Sequence, residues 1–415
     1  MNAEIIAVGS ELLTPFRQDT NSLFITGKLN ELGVTVDFKT IVGDRQSDLV
    51  SVARTALSRA SIVIFMGGLG PTEDDLTREC VAETLGRELR RDPTIIEALR
   101  ERFASRGYKM AENNMKQGDV IAGAEALDNP RGTAPGQWMQ IEISGKKKIV
   151  ILLPGPPHEL KHMFQEKCLE KLRHAVPPRH IAVRVLKIAM VPESQADKRA
   201  APIYQAHKGV ETTILANAGG EIQFQVRAQA LTLEDAQKKV DKVASELEDE
   251  FEDAIFSTQG ESLEQIVGYY LQMRGATLSV AESCTGGMLA ERLTSVPGSS
   301  RYFLGGAVVY DNSLKTSLAD VPPLLIKEHG AVSREVAVAL AVGIRKRCKT
   351  SYGVGITGIA GPGGGTEAKP VGLVYVALSD GDHTSVQERK FPGDRERIRH
   401  WATQQALDMV RRKLM

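Results

Sequence analysis

Cysteine is scarce in this chain. Cys80, Cys168, Cys284 and Cys348 are the only four in 415 residues, and none lies near another in sequence. Such scattered thiols argue against a disulfide framework and against the paired spacings of a structural zinc site, and they suit a reducing cytoplasm. Net charge is missing too, because 52 Lys and Arg balance 52 Asp and Glu. A general polyanion binder needs a basic excess, so no direct nucleic-acid contact is expected. No apolar run approaches the roughly 20 residues needed to span a bilayer. The opening Met1–Gly9 is too short and too weakly basic for a signal peptide and reads as a buried strand. A soluble cytoplasmic protein without a membrane partner is the expectation. What the chain has in plenty is length, enough for two to four domains.

From residue 1 to about 170, strand-like and helix-like patterns alternate. Glu4–Val8 and Val34–Ile41 read as strands, and Asn21–Leu32 and Leu49–Ala60 as helices. Ser61–Met66 is a continuous apolar run ending in Gly67-Gly68, as suits a strand buried on both faces. The alternation predicts a parallel sheet with helices on both sides, and ligands in such sheets gather at the carboxyl ends of the strands.

Three loops fall at such ends. They are Gly9-Ser10-Glu11-Leu12-Leu13 with Asp19-Thr20-Asn21, then Gly67-Gly68-Leu69-Gly70-Pro71-Thr72-Glu73-Asp74-Asp75, then Leu153-Pro154-Gly155-Pro156-Pro157-His158-Glu159. Glycine lets a backbone approach a phosphate closely, and a following helix N-terminus favours its charge. Adjacent carboxylates can hold a divalent metal that bridges phosphate oxygens. Each carboxylate can equally be a helix cap. Two later turn-rich segments, around Lys116 and Arg131, read by themselves as polar surface loops, with a single Arg able to face a phosphate.

Gly-Gly-x-Gly-Pro-x-x-x-Asp-x-Thr at 67–77 resembles the molybdopterin-binding fold. Gly-Ser-Glu-Leu-Leu with Asp-Thr-Asn, and Leu-Pro-Gly-Pro-Pro-x-Glu-Leu, resemble the amino-terminal domain of the competence/damage-inducible CinA family. That resemblance implies an ADP-ribose pyrophosphatase activity with a divalent metal, and it matches Asp44 and Asp75 to the two acidic positions near the metal. It also implies that Lys116 and Arg131 border the same nucleotide pocket as Glu11, Asp19, Asn21, Gly67, Gly68, Gly70, Asp74, Gly155 and Pro156. Thr14-Pro15-Phe16-Arg17 departs from the Gly-containing turn of many relatives.

Residues 173–258 change character. Val183–Met190 and Glu221–Ala228 read as strands, Ser194–Gln205 and Leu233–Phe251 as helices, and Asn217-Ala218-Gly219-Gly220 as a hairpin turn. The resemblance makes this a KH-like α+β unit, although the Gly-x-x-Gly loop and basic face of an RNA-binding KH module are not visible. It reads as a spacer or assembly domain.

In residues 259–415 an apolar run, Ala276–Val280, stops at Glu282-Ser283-Cys284-Thr285-Gly286-Gly287, and a helical pattern begins at Met288. A strand-to-helix turn can present a hydroxyl beside backbone N–H groups that bind an oxyanion. It can also be no more than a Ser/Thr helix cap. A serine needs a base, and a desolvated lysine can be one, with a tyrosine hydroxyl relaying the proton. Tyr310 and Lys315 follow the next strand, and each has a plain alternative as a core-edge or solvated side chain. Cys284 is a second possible nucleophile. No Ser-His-Asp signature stands out.

Ala-Glu-Ser-Cys-Thr-Gly-Gly, Tyr-x-Asn-x-x-Lys, Gly-Ala-Val-Ser at 330–333 and Gly-Ile-Ala-Gly-Pro-Gly-Gly-Gly-Thr with Lys-Pro-Val-Gly together resemble the nicotinamide mononucleotide deamidase family, which forms the carboxy-terminal half of CinA proteins. The resemblance implies Ser283 as nucleophile, ahead of Cys284, with Lys315 and Tyr310 as its activating partners. Cys284, Thr285, Gly286 and Gly287 would then bind substrate, and Gly361, Gly363, Gly364, Gly365 and Thr366 would cradle its phosphate.

The combined expectation is an α/β protein of two three-layer α/β/α domains (1–172 and 259–415) joined by the KH-like domain. It would hydrolyse nicotinamide mononucleotide without a cofactor and cleave ADP-ribose with a divalent metal, as a homodimer by family analogy. The alternative keeps the amino-terminal half as a non-catalytic pterin- or nucleotide-binding module in an adaptor for competence or the DNA-damage response.

Overall fold

The computed structural model describes every residue except Ala218. The chain is a mixed α/β protein that divides into two compact units, one of residues 1–181 with 229–236 and one of residues 182–228 with 237–415.

The first unit is built on a six-stranded sheet in the order Thr35–Val42, Asn2–Val8, Ile62–Met66, Lys146–Leu153, Gly136–Ile143, Glu125–Leu127. The first four strands are parallel, as the alternating pattern predicts. The last two are antiparallel, which corrects the expectation of a wholly parallel sheet. The hairpin at Ser144-Gly145 explains the change, since both residues adopt positive φ there and reverse the chain with no crossover helix. Successive residues of Asn2–Val8 feed opposite faces. Ile5 and Ala7 pack with Ile25, Leu29, Leu160 and Phe164, while Ile6 and Val8 pack with Leu49, Ala53, Leu57 and Val81. Helices therefore cover both faces, and the fully buried Ile62–Met66 run is explained by its central place between them. Glu4 is the exception in this core. Its buried carboxylate accepts two hydrogen bonds from Arg59 at 2.8 Å and one from Thr40.

In the second unit, Val210–Ala216 and Glu221–Ala230 pair antiparallel, within a four-stranded sheet that also holds His180–Ala189 and Ile255–Ser257. The predicted turn joins the two strands, with its Ala218 outside the described residues. Asn217 Oδ1 accepts the N–H groups of Gly219 and Glu221 there.

The remaining sheet runs Phe303–Val308, Leu278–Glu282, Tyr352–Gly358, Leu373–Ser379, Thr384–Lys390. The first three are parallel and the last two antiparallel. One face packs on the helices Leu263–Met273 and Arg395–Leu414, the other on Asn312–Ala319 and Arg334–Cys348. The helix that begins near Ser262 carries a full capping box, with Ser262 and Gln265 bonding reciprocally. Three loops leave the carboxyl ends of three adjacent parallel strands, and these hold Ser283, Tyr310 with Lys315, and the Gly361–Thr366 segment.

Candidate active sites

The Ser283 site begins with a buried carboxylate that sequence reasoning passed over. Glu282, the last residue of its strand, is 1% exposed. Its Oε2 accepts the N–H groups of Gly287 and Leu289 at 3.1 and 3.0 Å, and Oε1 accepts that of Ala290 at 2.8 Å. The charge thus folds the 283–287 turn back onto the next helix, Met288–Thr294. Gly286 and Gly287, at φ 60° and 94°, let the backbone take that path. Gly286 N–H is also engaged, by Ser283 O at 3.2 Å. Of the four N–H groups expected to face an oxyanion, those of Cys284 and Thr285 alone make no hydrogen bond among the described residues. A carboxylate in an otherwise apolar strand was the signal for Glu282. In Glu282→Gln, the amide N–H₂ would meet backbone donors in place of acceptors. Loss of these charge-assisted bonds should cost about 2–3 kcal/mol and lower turnover at Ser283. Unaltered thermal melting and turnover would refute this role.

Ser283 is 9% exposed, and its N–H donates to Ile356 O at 3.0 Å. Cys284 is buried, and desolvation pushes its thiol up to about 12, so it stays protonated and a poor nucleophile. Lys315 stands in the first turn of Asn312–Ala319, behind the Asp311 cap, and is 2% exposed. Its Nζ donates to the carbonyls of Val309 and Tyr310, both at 3.0 Å. Burial lowers its pKa, and the Asp311 carboxylate opposes this. Val309, whose carbonyl holds the amine, donates its own N–H to Glu282 O at 2.8 Å, which ties the Lys315 segment to the residue that precedes Ser283. Tyr310 is 60% exposed, and its hydroxyl accepts from Arg395 Nη2 at 3.1 Å, not from Lys315. The Ser283 hydroxyl bonds to neither of them among the described residues.

Two arginines complete this site. Arg395 Nη1 donates to Gly361 O at 2.9 Å, so one guanidinium joins Tyr310 to the glycine-rich loop. Arg399, one helical turn on, donates to Thr285 O at 2.7 Å. Gly361 and Gly365 lie too close to Val371 for a Cβ, at 2.6 and 2.8 Å, whereas Gly363 has open space. Lys369 ties this loop to its neighbour through His329 O and Val332 O, both at 2.7 Å. The site thus presents the Ser283 and Tyr310 hydroxyls, a buried amine, two free N–H groups and two guanidinium groups.

The second site is a cleft of about 360 Å³ at the carboxyl ends of the first unit's parallel strands. Glu11, Asp44, Gly67, Gly68, Gly70, Asp74, Asp75, Gly155 and Pro156 line it, with Gln117, Thr133 and Glu159 besides. Asp44 Oδ2 accepts Ser10 N–H at 2.8 Å, and Asp75 Oδ2 accepts Thr72 N–H at 2.9 Å. Each carboxylate keeps its other oxygen out of these bonds. Among the described residues, no three Asp, Glu, His or Cys side chains cluster as metal ligands. Four predicted residues do not line the cleft. Asn21 Nδ2 holds Gly155 O at 2.8 Å, and Lys116 Nζ holds Thr72 O and Asp75 O at 2.7 and 2.8 Å. Asp19 caps the next helix through Ser22 N–H at 2.9 Å, and Arg131 Nη1 reaches His158 O at 3.5 Å. Arg78, absent from the prediction, is fully buried beneath the loop and donates to Leu69 O and Gly70 O.

Comparison with known proteins bears on both sites. Residues 4–174 match the model of a probable molybdopterin binding domain, and residues 260–414 match that of the CinA C-terminal domain. A CinA-like protein of Koribacter versatilis (strain Ellin345) is 63% identical over 415 residues, covering all of both chains. Another, of Acidobacterium capsulatum, is 61% identical over the same span. A third, of Solibacter usitatus (strain Ellin6076), is 49% identical over all of this chain and 98% of its own. Among the described residues, no helix is long and apolar enough to cross a membrane. With both domain models in order and full-length identity of this size, the chain belongs to the CinA family.

Proposed function

We propose that this protein hydrolyses the carboxamide of nicotinamide mononucleotide to nicotinate mononucleotide and ammonia. The carrying observation is Lys315, a buried amine with a lowered pKa, on the helix that follows the strand paired with the one ending just before Ser283. Ser283 Oγ attacks the carbonyl carbon and Lys315 takes its proton. The Cys284 and Thr285 N–H groups receive the oxyanion. The lysine then returns the proton to the departing ammonia, and water releases the acid. Tyr310 and the two arginines surround the place where the mononucleotide phosphate would sit, and guanidinium groups suit that ligand. Incubating the protein with nicotinamide mononucleotide and identifying the products tests this reading. Absence of ammonia and nicotinate mononucleotide would end it.

The cleft of the first unit supports a second activity, cleavage of ADP-ribose to AMP and ribose 5-phosphate. Its carboxylates are hard oxygen donors, which fit a divalent cation of the magnesium or manganese kind shared with substrate phosphates. Asp44 and Asp75 would hold it, each through the oxygen left free by Ser10 and Thr72. The ion would supply charge neutralisation at the phosphates. Gly67, Gly68 and Gly70 let the backbone come close to them. Asp44→Asn and Asp75→Asn should each abolish manganese-dependent AMP formation and weaken manganese binding measured by calorimetry, while deamidation persists. Full AMP formation in either variant would remove the carboxylates from this role.

A further inference from the structure

Glu159 stands in this cleft without a task. It follows Pro154-Gly155-Pro156 on the helix Pro157–Met163, and its side chain is 14% exposed at the cleft wall. Its carboxylate is held in one pose. Asn129 Nδ2 donates to Oε2 at 2.7 Å. On the other side the chain has Gly132, where an added Cβ would lie 1.8 Å from Oε2, so the carboxylate occupies space that any side chain would fill. The remaining oxygen, Oε1, makes no hydrogen bond among the described residues, and His158 Nε2 stands 3.9 Å from it.

Position separates Glu159 from the metal-side carboxylate Asp44. Asp44 follows the strand Thr35–Val42, and Glu159 follows Lys146–Leu153, three places along the sheet. At the usual strand spacing that is about 14 Å. A ligand with two nucleoside-like halves joined by a pyrophosphate can span this distance. A metal shared by Asp44 and Asp75 would lie on the loops after Thr35–Val42 and Ile62–Met66, and the pyrophosphate would continue from it towards Glu159 on the next loop along the sheet. A carboxylate fixed through one oxygen, on a side chain that lines the cleft and is 14% exposed, is placed to accept a proton from water.

We infer that Glu159 is the general base of the pyrophosphate cleavage, with Asn129 and the empty side of Gly132 holding it in position. Water gives its proton to Oε1 as its oxygen bonds to a phosphorus of the pyrophosphate. The bridging P–O bond breaks, and its electron pair leaves with the other phosphate, so that one water is consumed and two monophosphates form. This inference rests on the cleft being a pyrophosphate-cleaving site.

The test uses the full chain with ADP-ribose and manganese. Glu159→Gln should lower AMP formation by about 10²–10⁴-fold, with the calorimetric affinity for ADP-ribose unchanged. Glu159→Ala should regain AMP formation when formate is added, because formate can occupy the vacated space and carry the proton. A residue that only ties the Asn129–Gly132 loop in place would give no formate rescue and a lowered melting temperature, and that result overturns the inference. So does Glu159→Gln at the wild-type rate. If the wild type itself yields no AMP, the reading of the cleft fails and Glu159 falls with it.

Discussion

Ser283→Ala and Lys315→Met should each lower ammonia release from nicotinamide mononucleotide by about 10⁴-fold or more, since members of a catalytic unit lose nearly the whole effect singly. The two changes act at different atoms. Ser283→Ala removes the hydroxyl at the head of the turn, beside the free N–H groups of Cys284 and Thr285. Its fold should survive, because the hydroxyl takes no part in the surrounding hydrogen bonds. Lys315→Met keeps the buried stem and removes the amine, leaving the Val309 and Tyr310 carbonyls without their donor. That deficit should cost about 1–3 kcal/mol, visible as a lower melting temperature without loss of secondary structure. The pH dependence follows from burial. In the proposed mechanism the base is the neutral amine, and desolvation lowers the pKa of Lys315, so the neutral fraction at a given pH is larger than for a solvated lysine. Activity should rise with pH through this lowered pKa and level off before the ordinary lysine range, and Lys315→Arg should abolish it because arginine stays charged. Wild-type-like turnover in Ser283→Ala or Lys315→Met would remove the serine–lysine chemistry. Turnover lost in Ser283→Ala and kept in Cys284→Ala would separate the two neighbours.

How far these sites can be read from sequence depends on what kind of signal each residue leaves. The run Ser61–Met66 was legible because burial on both faces demands unbroken apolarity. The three strand-end loops were legible because the alternating pattern fixes which end of each strand they leave. The antiparallel edge was not, since Gly136–Ile143 mixes Gln, Trp and Glu with apolar residues and Lys146–Leu153 opens on three lysines. Lys148 among these is nonetheless buried, donating to Ala60 O at the end of the helix Gln46–Arg59. That is a favourable place for a cation, but chain folding alone brings it there. The arginines of the Ser283 site were missed for a similar reason. Arg395 and Arg399 lie more than a hundred residues from Ser283, and no motif marks them. They did leave a trace. Arg395 opens the helix Arg395–Leu414, and the first turn of a helix repels cations unless something else holds them. The resemblance sets Tyr310 with Lys315 at Ser283, and the fold gives the tyrosine hydroxyl to Arg395.

Gly343→Ala should be among the most damaging small substitutions in the second unit, although the residue touches no substrate. Alanine for glycine in a helix interior ordinarily stabilises by about 0.5–1 kcal/mol. Gly27, in the exposed face of Asn21–Glu31, has nothing within 4 Å of an added Cβ, and there that gain should be realised. Gly343, in Arg334–Cys348, faces the last carbonyl of the helix that carries Lys315. An added Cβ would lie 1.7 Å from Ala319 O and 2.6 Å from its carbon. Backbone has to retreat by about 1.5–2 Å to restore an ordinary contact. The other side offers no room, because Arg334–Cys348 already rides on a strand stripped of side chains. A Cβ at Gly353 or Gly355 would lie 2.3 or 2.4 Å from Ala341 O or Ala337 O. The displacement therefore goes into Asn312–Ala319. Overpacking of this kind costs about 1–3 kcal/mol, occasionally more, and about 3 kcal/mol should lower the melting temperature by roughly 6–12 °C. The catalytic cost comes from the same movement. Lys315 Nζ is aligned by two carbonyls at 3.0 Å, and a misplacement of about 1 Å costs on the order of 10²-fold in rate. Gly343→Ala should thus lose deamidation well below its melting temperature, while manganese-dependent AMP formation in the first unit persists. Unchanged deamidation and melting in Gly343→Ala would show that the Lys315 helix does not depend on this contact for its position.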